Sequence, residues 1–141
     1  MSINEPKPLN WTPDPDVGFT VTRRTDGGMQ ITFTDVKMST LEHWREFALA
    51  HLIDSDRLTR NLYDLSRIEI LPERAIQYAL EVNSDPSVRN IRLAVVVSSD
   101  QVRKAVQEIA ALTAPGGVEM AIFTSLTEAE TWLERPLTNV V

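Results

Sequence analysis

The chain of 141 residues carries 20 acidic and 14 basic residues, for a net charge of -6, and it contains no cysteine. The lack of cysteine excludes a disulfide framework, thiol catalysis and thiolate metal sites. The acidic balance argues against attraction of the whole surface to nucleic acid or anionic lipid. No apolar run approaches the roughly 20 residues of a membrane-spanning helix, and residues 1–7 lack the features of a secretory signal. We therefore expect a cytoplasmic protein.

The length and the apolar fraction of 43% fit a single globular domain. Residues 1–16 contain four of the eight prolines and few apolar side chains, so they cannot bury enough surface to offset their ordering entropy. We predict an extended N-terminal tail at 1–16, one α/β domain at 17–136, and a C-terminal tail at 137–141.

Two segments with alternating apolar residues open the predicted domain. Apolar side chains occupy every second position in 17–22 and again in 29–34. Gly27 and Gly28 lie between the two segments, and glycine supplies the positive φ that tight hairpin turns require. A β-hairpin with one buried face is therefore predicted.

Five consecutive apolar residues, Leu93–Val97, form the most apolar stretch of the domain, and three of them are β-branched. Such a run is typical of a strand that is covered on both faces. The segments 61–66 and 118–123 also have the composition of strands. The hairpin and these three segments give five predicted strands.

Four helical patterns alternate with the later strands. The segments 39–42 and 125–128 both have the Ser-x-x-Glu form of a capping box, and Pro72 suits the first turn of another helix. The predicted order is ββαβαβαβα, an α/β fold with a mixed five-stranded sheet, because short helical crossovers impose parallel pairing. The third predicted helix has its apolar face at Val102, Ala105, Val106, Ile109 and Leu112.

Three parts of this pattern resemble the SpoIIAA-like (STAS-type) family. They are the strand end Asp64-Leu65-Ser66, the strand Leu93–Val97, and the C-terminal segment from Phe123 to Leu133. In this last segment a strand that ends in Phe is followed by a capped helix that contains Glu-Ala and Trp-Leu. The resemblance covers roughly residues 17–134. It implies a single SpoIIAA-like domain with helices packed against a mixed sheet, and a role in regulation or binding instead of catalysis.

The resemblance also points to one serine. In the anti-sigma-factor antagonists of that superfamily, a kinase phosphorylates a serine in an Asp-Ser-Ser/Thr-Gly-Leu loop after the third strand. The corresponding stretch here is 64–70, with the sequence Asp-Leu-Ser-Arg-Ile-Glu-Ile. It lacks the tandem hydroxyls and the glycine, which leaves Ser66 as the candidate phospho-acceptor.

Polar residues follow the carboxyl ends of the predicted parallel strands, where α/β sheets tend to bind their ligands. Free backbone N–H groups at the helix starts can hold an anion there. The same hydroxyls and carboxylates would equally serve to cap their own helices. The candidate binding residues are Asp64, Ser66, Ser98, Ser99, Asp100, Thr124 and Ser125.

No catalytic motif is visible, since the sequence has no nucleophile elbow, P-loop, dinucleotide fingerprint or helical His-Glu-x-x-His pattern. His43 and His51 are eight residues apart, whereas a helical metal pair needs a spacing of three or four. We expect no enzyme activity, no cofactor, no metal and no nucleic-acid partner. Four arginines near the third strand form either a local basic patch or scattered solvated charges: Arg57, Arg60, Arg67 and Arg74.

Two functions from different classes remain open. The first is a non-catalytic interaction module in which the helix Leu71–Asn83, with Ser66 and the Arg67/Arg74 pair, meets a protein partner; a homodimer is the self-associating version. The alternative is a binder of a small apolar or anionic ligand between helices and sheet. The expected lining of that ligand site includes Trp44, Phe47 or Tyr78.

Overall fold

The computed structural model describes residues 16–25, 28–51, 59–84, 91–113 and 118–135, with His51 described by its backbone alone. The predicted C-terminal tail lies outside the described residues, as does the predicted N-terminal tail apart from Asp16. None of the helices within the described ranges has the length and apolar character that crossing a bilayer requires.

Five strands and four helices follow each other in the predicted order ββαβαβαβα. The elements are β1 (Phe19–Arg23), β2 (Met29–Phe33), α1 (Met38–His51), β3 (Thr59–Leu65), α2 (Glu73–Asn83), β4 (Ile91–Val97), α3 (Asp100–Thr113), β5 (Val118–Phe123) and α4 (Leu126–Glu134).

The five strands form one mixed sheet, in the order β1-β2-β3-β4-β5. β1 and β2 are antiparallel, with Phe19 opposite Phe33, whereas β2 to β5 all run parallel. The alternating pattern at 17–34 therefore predicted the hairpin correctly. The α/β fold with a mixed five-stranded sheet is confirmed.

β4 lies between β3 and β5 in the sheet, and all seven of its residues are buried. Helices α1, α2 and α3 cover one face of the sheet, where Leu93, Val95 and Val97 pack into the larger core. Helix α4 covers the other face and forms a smaller core with the alternate strand residues. That smaller core consists of Leu62, Ala94, Val96, Ala129 and Leu133.

The start of α1 differs from the prediction. The helix begins at Met38, and Leu41 N donates to Lys37 O, so the predicted capping box at Ser39 is wrong. Asp35 lies just before the helix, and its Oδ1 accepts from Lys37 N at 3.0 Å and from Thr40 Oγ1 at 2.6 Å. Pro72, expected in the first helical turn, is the N-cap of α2.

Thr40 also connects α1 to the hairpin. Its Oγ1 accepts from Gly18 N at 2.9 Å, and the Thr40 side chain is fully buried. A Cβ at position 18 would overlap the Asp35 carboxylate. Any larger residue at position 18 would displace this carboxylate from its bonds to Lys37 N and Thr40.

The apolar face predicted for α3 is wrong at its end. Leu112 is 59% exposed, whereas Thr113 is buried and its hydroxyl donates to Ile109 O at 2.7 Å. Because the hydroxyl donates to a carbonyl of the preceding turn, the Thr113 side chain can be buried without leaving an unpaired polar atom.

Two arginines hold the C-terminal end of α4. Arg60 Nε donates to Leu133 O at 2.7 Å, and an Nη of Arg92 donates to Arg135 O at 2.6 Å. Arg92 is buried, its guanidinium lies 5.5 Å from the Trp132 ring centroid, and its Nε pairs with Glu119 at 3.1 Å. Positive charge is favourable here because the last carbonyls of a helix are unpaired and partially negative.

Candidate functional site

The candidate residues lie along one edge of the sheet. Because β2 to β5 are parallel, the segments that follow them all begin at this edge, which we call the carboxyl edge. Asp64 is the second-last residue of β3 and Ser66 follows this strand, Ser98 to Asp100 follow β4, and Thr124 with Ser125 follow β5.

The connection between β3 and α2 is bonded to the start of α3. We call residues 66–71 the β3–α2 loop. Ser98 Oγ donates to Ser66 O at 2.6 Å, and Ser99 Oγ donates to Glu69 O at 2.6 Å. Gln101 adds two bonds to Leu71, accepting from its N at 2.7 Å and donating to its O at 3.2 Å.

The first half of the β3–α2 loop is also held by hydrogen bonds among residues 64–68. Asp64 Oδ1 accepts from Ser66 N at 3.0 Å and from Ser66 Oγ at 2.6 Å, and Ile68 N donates to Leu65 O at 3.0 Å. Ile68 and Leu71 are buried in the larger core. The loop is therefore held at both ends, and its conformation is determined by the fold.

Two of the candidate serines act as helix caps. Ser99 Oγ accepts from Val102 N, and Ser125 Oγ accepts from Glu128 N, both at 3.4 Å. Ser125 is thus the N-cap of α4, as the second predicted capping box requires, and it forms the serine half of that box. Asp100 is paired with Arg103 within the first turn of α3.

Hydrogen bonds bring together only part of the candidate set. Asp64, Ser66 and Ser98 are linked directly, and Ser99 joins them through the β3–α2 loop. The contacts described for Asp100 and Ser125 are made within α3 and α4, and Thr124 is exposed. The carboxyl edge therefore holds one bonded group and separate residues beside it.

Large exposed apolar side chains also mark the carboxyl edge. Ile70, in the β3–α2 loop, is 66% exposed, and Met38 and Leu126 at the starts of α1 and α4 are 47% and 41% exposed. At the opposite end of the molecule, Leu112 is the large exposed apolar side chain among the residues described there. The interpretation of the sequence missed Ile70 because its neighbours Ile68 and Leu71 are equally apolar and are buried.

A cavity of about 90 Å³ lies between the sheet and the three helices on the larger-core face. Its lining is almost entirely apolar, and α2 contributes two small residues to it, Ala75 and Ala79.

The lining differs from the expectation at two residues. Trp44 lines the cavity as expected, whereas Phe47 and Tyr78 are not among its lining residues. Phe47 packs against Phe19, with ring centroids 6.2 Å apart. Tyr78 lies against the guanidinium groups of Arg45 and Arg74, at 5.6 and 5.8 Å from its centroid.

Polar groups at the cavity are uncharged. Trp44 Nε1 donates to Tyr63 Oη at 2.9 Å, and Asn61 Oδ1 accepts from Met29 N at 3.0 Å. Burial raises the pKa of the Tyr63 hydroxyl well above its usual range, against the opposing effect of the Trp44 bond. Because no charged side chain is among the described lining residues, the cavity offers nothing to balance a ligand's charge.

The arginines and histidines form no common site in the described part of the chain. Arg60 is bonded to α4, Arg74 lies against Tyr78, and Arg67 is exposed in the β3–α2 loop. Arg57 lies outside the described residues. His43 Nδ1 is 2.7 Å from Ser39 O, and no cluster of potential metal ligands occurs among the residues that the structure describes.

Comparison of the chain with family models, with curated proteins and with solved structures found no match.

Proposed function

We propose that the protein is a non-catalytic regulatory or protein-interaction module of the SpoIIAA type, and that a protein partner docks on its carboxyl edge. The observation that carries this proposal is the β3–α2 loop, which is held by hydrogen bonds at both ends while Ile70 at its centre is 66% exposed.

Preorganisation supports a role in binding. A loop that is already ordered has little conformational entropy left to lose when a partner binds, so more of the contact energy appears as affinity. Exposed apolar surface with a rim of polar residues is typical of interaction sites. Ile70 has this environment, because Arg67 and Glu69 of the same loop are also exposed.

The hydroxyl groups of this edge are used to build the loop. Ser66 Oγ donates to Asp64, Ser98 Oγ donates to a carbonyl, and Ser99 Oγ both caps α3 and holds Glu69 O. These bonds support a structural role for the candidate serines, in which they hold the β3–α2 loop in place. A phosphate on Ser66 would stand beside the Asp64 carboxylate, where like charges repel.

Quantitative affinity capture from lysate of the native host tests the proposal. Three baits are compared: the unchanged protein, Ile70→Asp, and the matched control Leu112→Asp, which places the same charge at a similarly exposed leucine on the opposite end of the molecule. We expect a protein that is retained by the unchanged and control baits and lost by Ile70→Asp. Identical partner sets for all three baits would contradict the proposal.

A second function is favoured by the cavity. We propose, as the alternative, that the protein binds a small apolar ligand between the helices and the sheet. The support is the cavity of about 90 Å³ with Trp44 and Tyr63 in its lining. The anionic version of this ligand has no supporting side chain in that lining.

Native mass spectrometry of the freshly purified protein tests this alternative. A co-purified ligand would add a defined mass that disappears on denaturation and is absent from Ala79→Leu, in which the added side chain fills the cavity. Ala111→Leu makes the same change at an exposed position of α3 and is the control. The alternative fails if no mass is added and the protein also binds none of a panel of small apolar probes.

A further inference from the structure

We infer that the cavity is a binding site for a small neutral molecule with one hydrogen-bond acceptor, and that the Tyr63 hydroxyl is the group that binds this acceptor. The inference rests on the second proposed function and adds the chemistry of the ligand. An aldehyde, a ketone or an ether of about six non-hydrogen atoms fits this description.

The size limit follows from the cavity volume. A cavity of about 150 Å³ lined by aliphatic and aromatic side chains binds benzene, so a cavity of about 90 Å³ accepts a ligand no larger than a five- or six-membered ring. Ala75 and Ala79 set this volume, because larger residues at those positions of α2 would extend into it.

The acceptor requirement follows from the bonding of Tyr63. A phenol has one proton to donate and two lone pairs to accept with. Trp44 Nε1 uses one lone pair, and among the described residues no acceptor is recorded for the Tyr63 proton. Since Tyr63 lines the cavity, a ligand oxygen can take that proton.

Neutrality follows from the other lining groups. The Trp44 indole, the amides of Asn61 and Asn83 and the Tyr63 phenol are all uncharged, and aliphatic and aromatic side chains supply most of the remaining surface. A charged ligand would lose its hydration without gaining a counter-ion. Asn61 Oδ1 accepts from Met29 N, and among the described lining residues Tyr63 is the one that carries a hydroxyl.

Titration with two probes of matched shape tests the inference on the full chain. Cyclopentanone carries a carbonyl acceptor and cyclopentane carries none. Binding is followed by NMR on the Trp44 indole N–H, whose partner is Tyr63 Oη. We expect cyclopentanone to shift this resonance, and Tyr63→Phe to weaken its binding about tenfold, the loss expected for one neutral hydrogen bond. Cyclopentane affinity should change less than twofold in that variant.

The outcomes separate this inference from the function on which it rests. If both probes bind the unchanged protein and Tyr63→Phe equally well, the cavity is a ligand site but the acceptor role of Tyr63 is wrong. If neither probe binds the unchanged protein, both the inference and the second function fail. In the variants, circular dichroism verifies the fold, and retained cyclopentane binding by Tyr63→Phe shows that the cavity has survived the substitution.

Discussion

Asp35 is the residue at which the fold most clearly depends on a charge. The Thr40 hydroxyl, the Lys37 backbone N–H and the Lys37 ammonium hold the pKa of this carboxyl below its ordinary value, and partial burial opposes them. A carboxylate that accepts a hydroxyl and an amide proton makes stronger bonds than a neutral acceptor would. Asp35 thus joins the hairpin to the first turn of α1 through Thr40.

Asp35→Asn should therefore destabilise the protein by about 1 kcal/mol at pH 7. The pKa of Asp35 is lower in the folded than in the unfolded state, so its stabilising effect is full above the unfolded value of about 3.9 and disappears as the pH falls through the folded value. Urea unfolding of both proteins between pH 7 and pH 2.5 should show the difference shrinking below pH 4. A difference that stays constant over this range would contradict the account.

At the scale of elements, the start of α3 supports the β3–α2 loop. Gln101 reaches a residue that is 30 positions earlier in the chain and pairs with both polar backbone atoms of Leu71. Leu71 is buried, so its N–H would lack a ready replacement partner if Gln101 were removed.

Gln101→Ala should lower the free energy of unfolding by about 1–2 kcal/mol. It should also speed amide hydrogen exchange at residues 66–71 more than elsewhere. The matched control is Gln107→Ala, at an exposed position of the same helix. If both substitutions give the same exchange pattern, the support that we assign to Gln101 is wrong.

Helix α4 depends on the arginines that meet its C-terminal end. Arg92→Leu removes the bonds to Arg135 O and to Glu119 and the contact with the Trp132 ring. Because Glu119 is 60% exposed, water can solvate it after the change, and we expect a loss of about 2 kcal/mol instead of the larger penalty of a buried unpaired charge.

Thermal and urea unfolding check this value against Arg103→Leu, which removes an exposed guanidinium from α3. Trp132 fluorescence should report greater exposure of α4 in Arg92→Leu alone. An Arg92→Leu protein as stable as the Arg103→Leu control would contradict the role of Arg92.

For the whole molecule, patterns that are local in the sequence predicted the fold well. The alternation at 17–34 predicted the hairpin, and the apolar run Leu93–Val97 predicted a strand buried on both faces, as β4 is. The first helix start was wrong because α1 begins at Met38, before the predicted box, where Asp35 accepts from Lys37 N and from the Thr40 hydroxyl. Leu112 was predicted to be buried, but Thr113 is buried instead, because a hydroxyl that bonds within its own helix can be buried.

The candidate site was less predictable because its contacts join distant parts of the chain. Ser98 and Ser99 stand where helix caps are expected, and capping alone explains their residue types. Their bonds to Ser66 O and Glu69 O span about 30 residues and depend on how α2 and α3 pack. Likewise, the cavity depends on Ala75 and Ala79 facing the sheet, which helical periodicity indicates only approximately.

Among the residues that the structure describes, the carboxyl edge has more exposed large apolar side chains than the opposite edge. The carboxyl edge combines the fixed β3–α2 loop with exposed apolar residues at positions 38, 70 and 126. At the opposite edge, Leu112 offers an exposed apolar surface at the end of a helix. The two positions therefore form a matched pair for locating a partner.

Site-specific photo-crosslinking in the native host tests the central claim most directly. A benzophenone amino acid replaces Ile70 in one protein and Leu112 in the other, so both carry an apolar aromatic group at an already exposed apolar position. We predict a discrete crosslinked protein from position 70 and none, or only diffuse background, from position 112. The same crosslinked species from both positions, or a discrete species from position 112 alone, would contradict docking at the carboxyl edge.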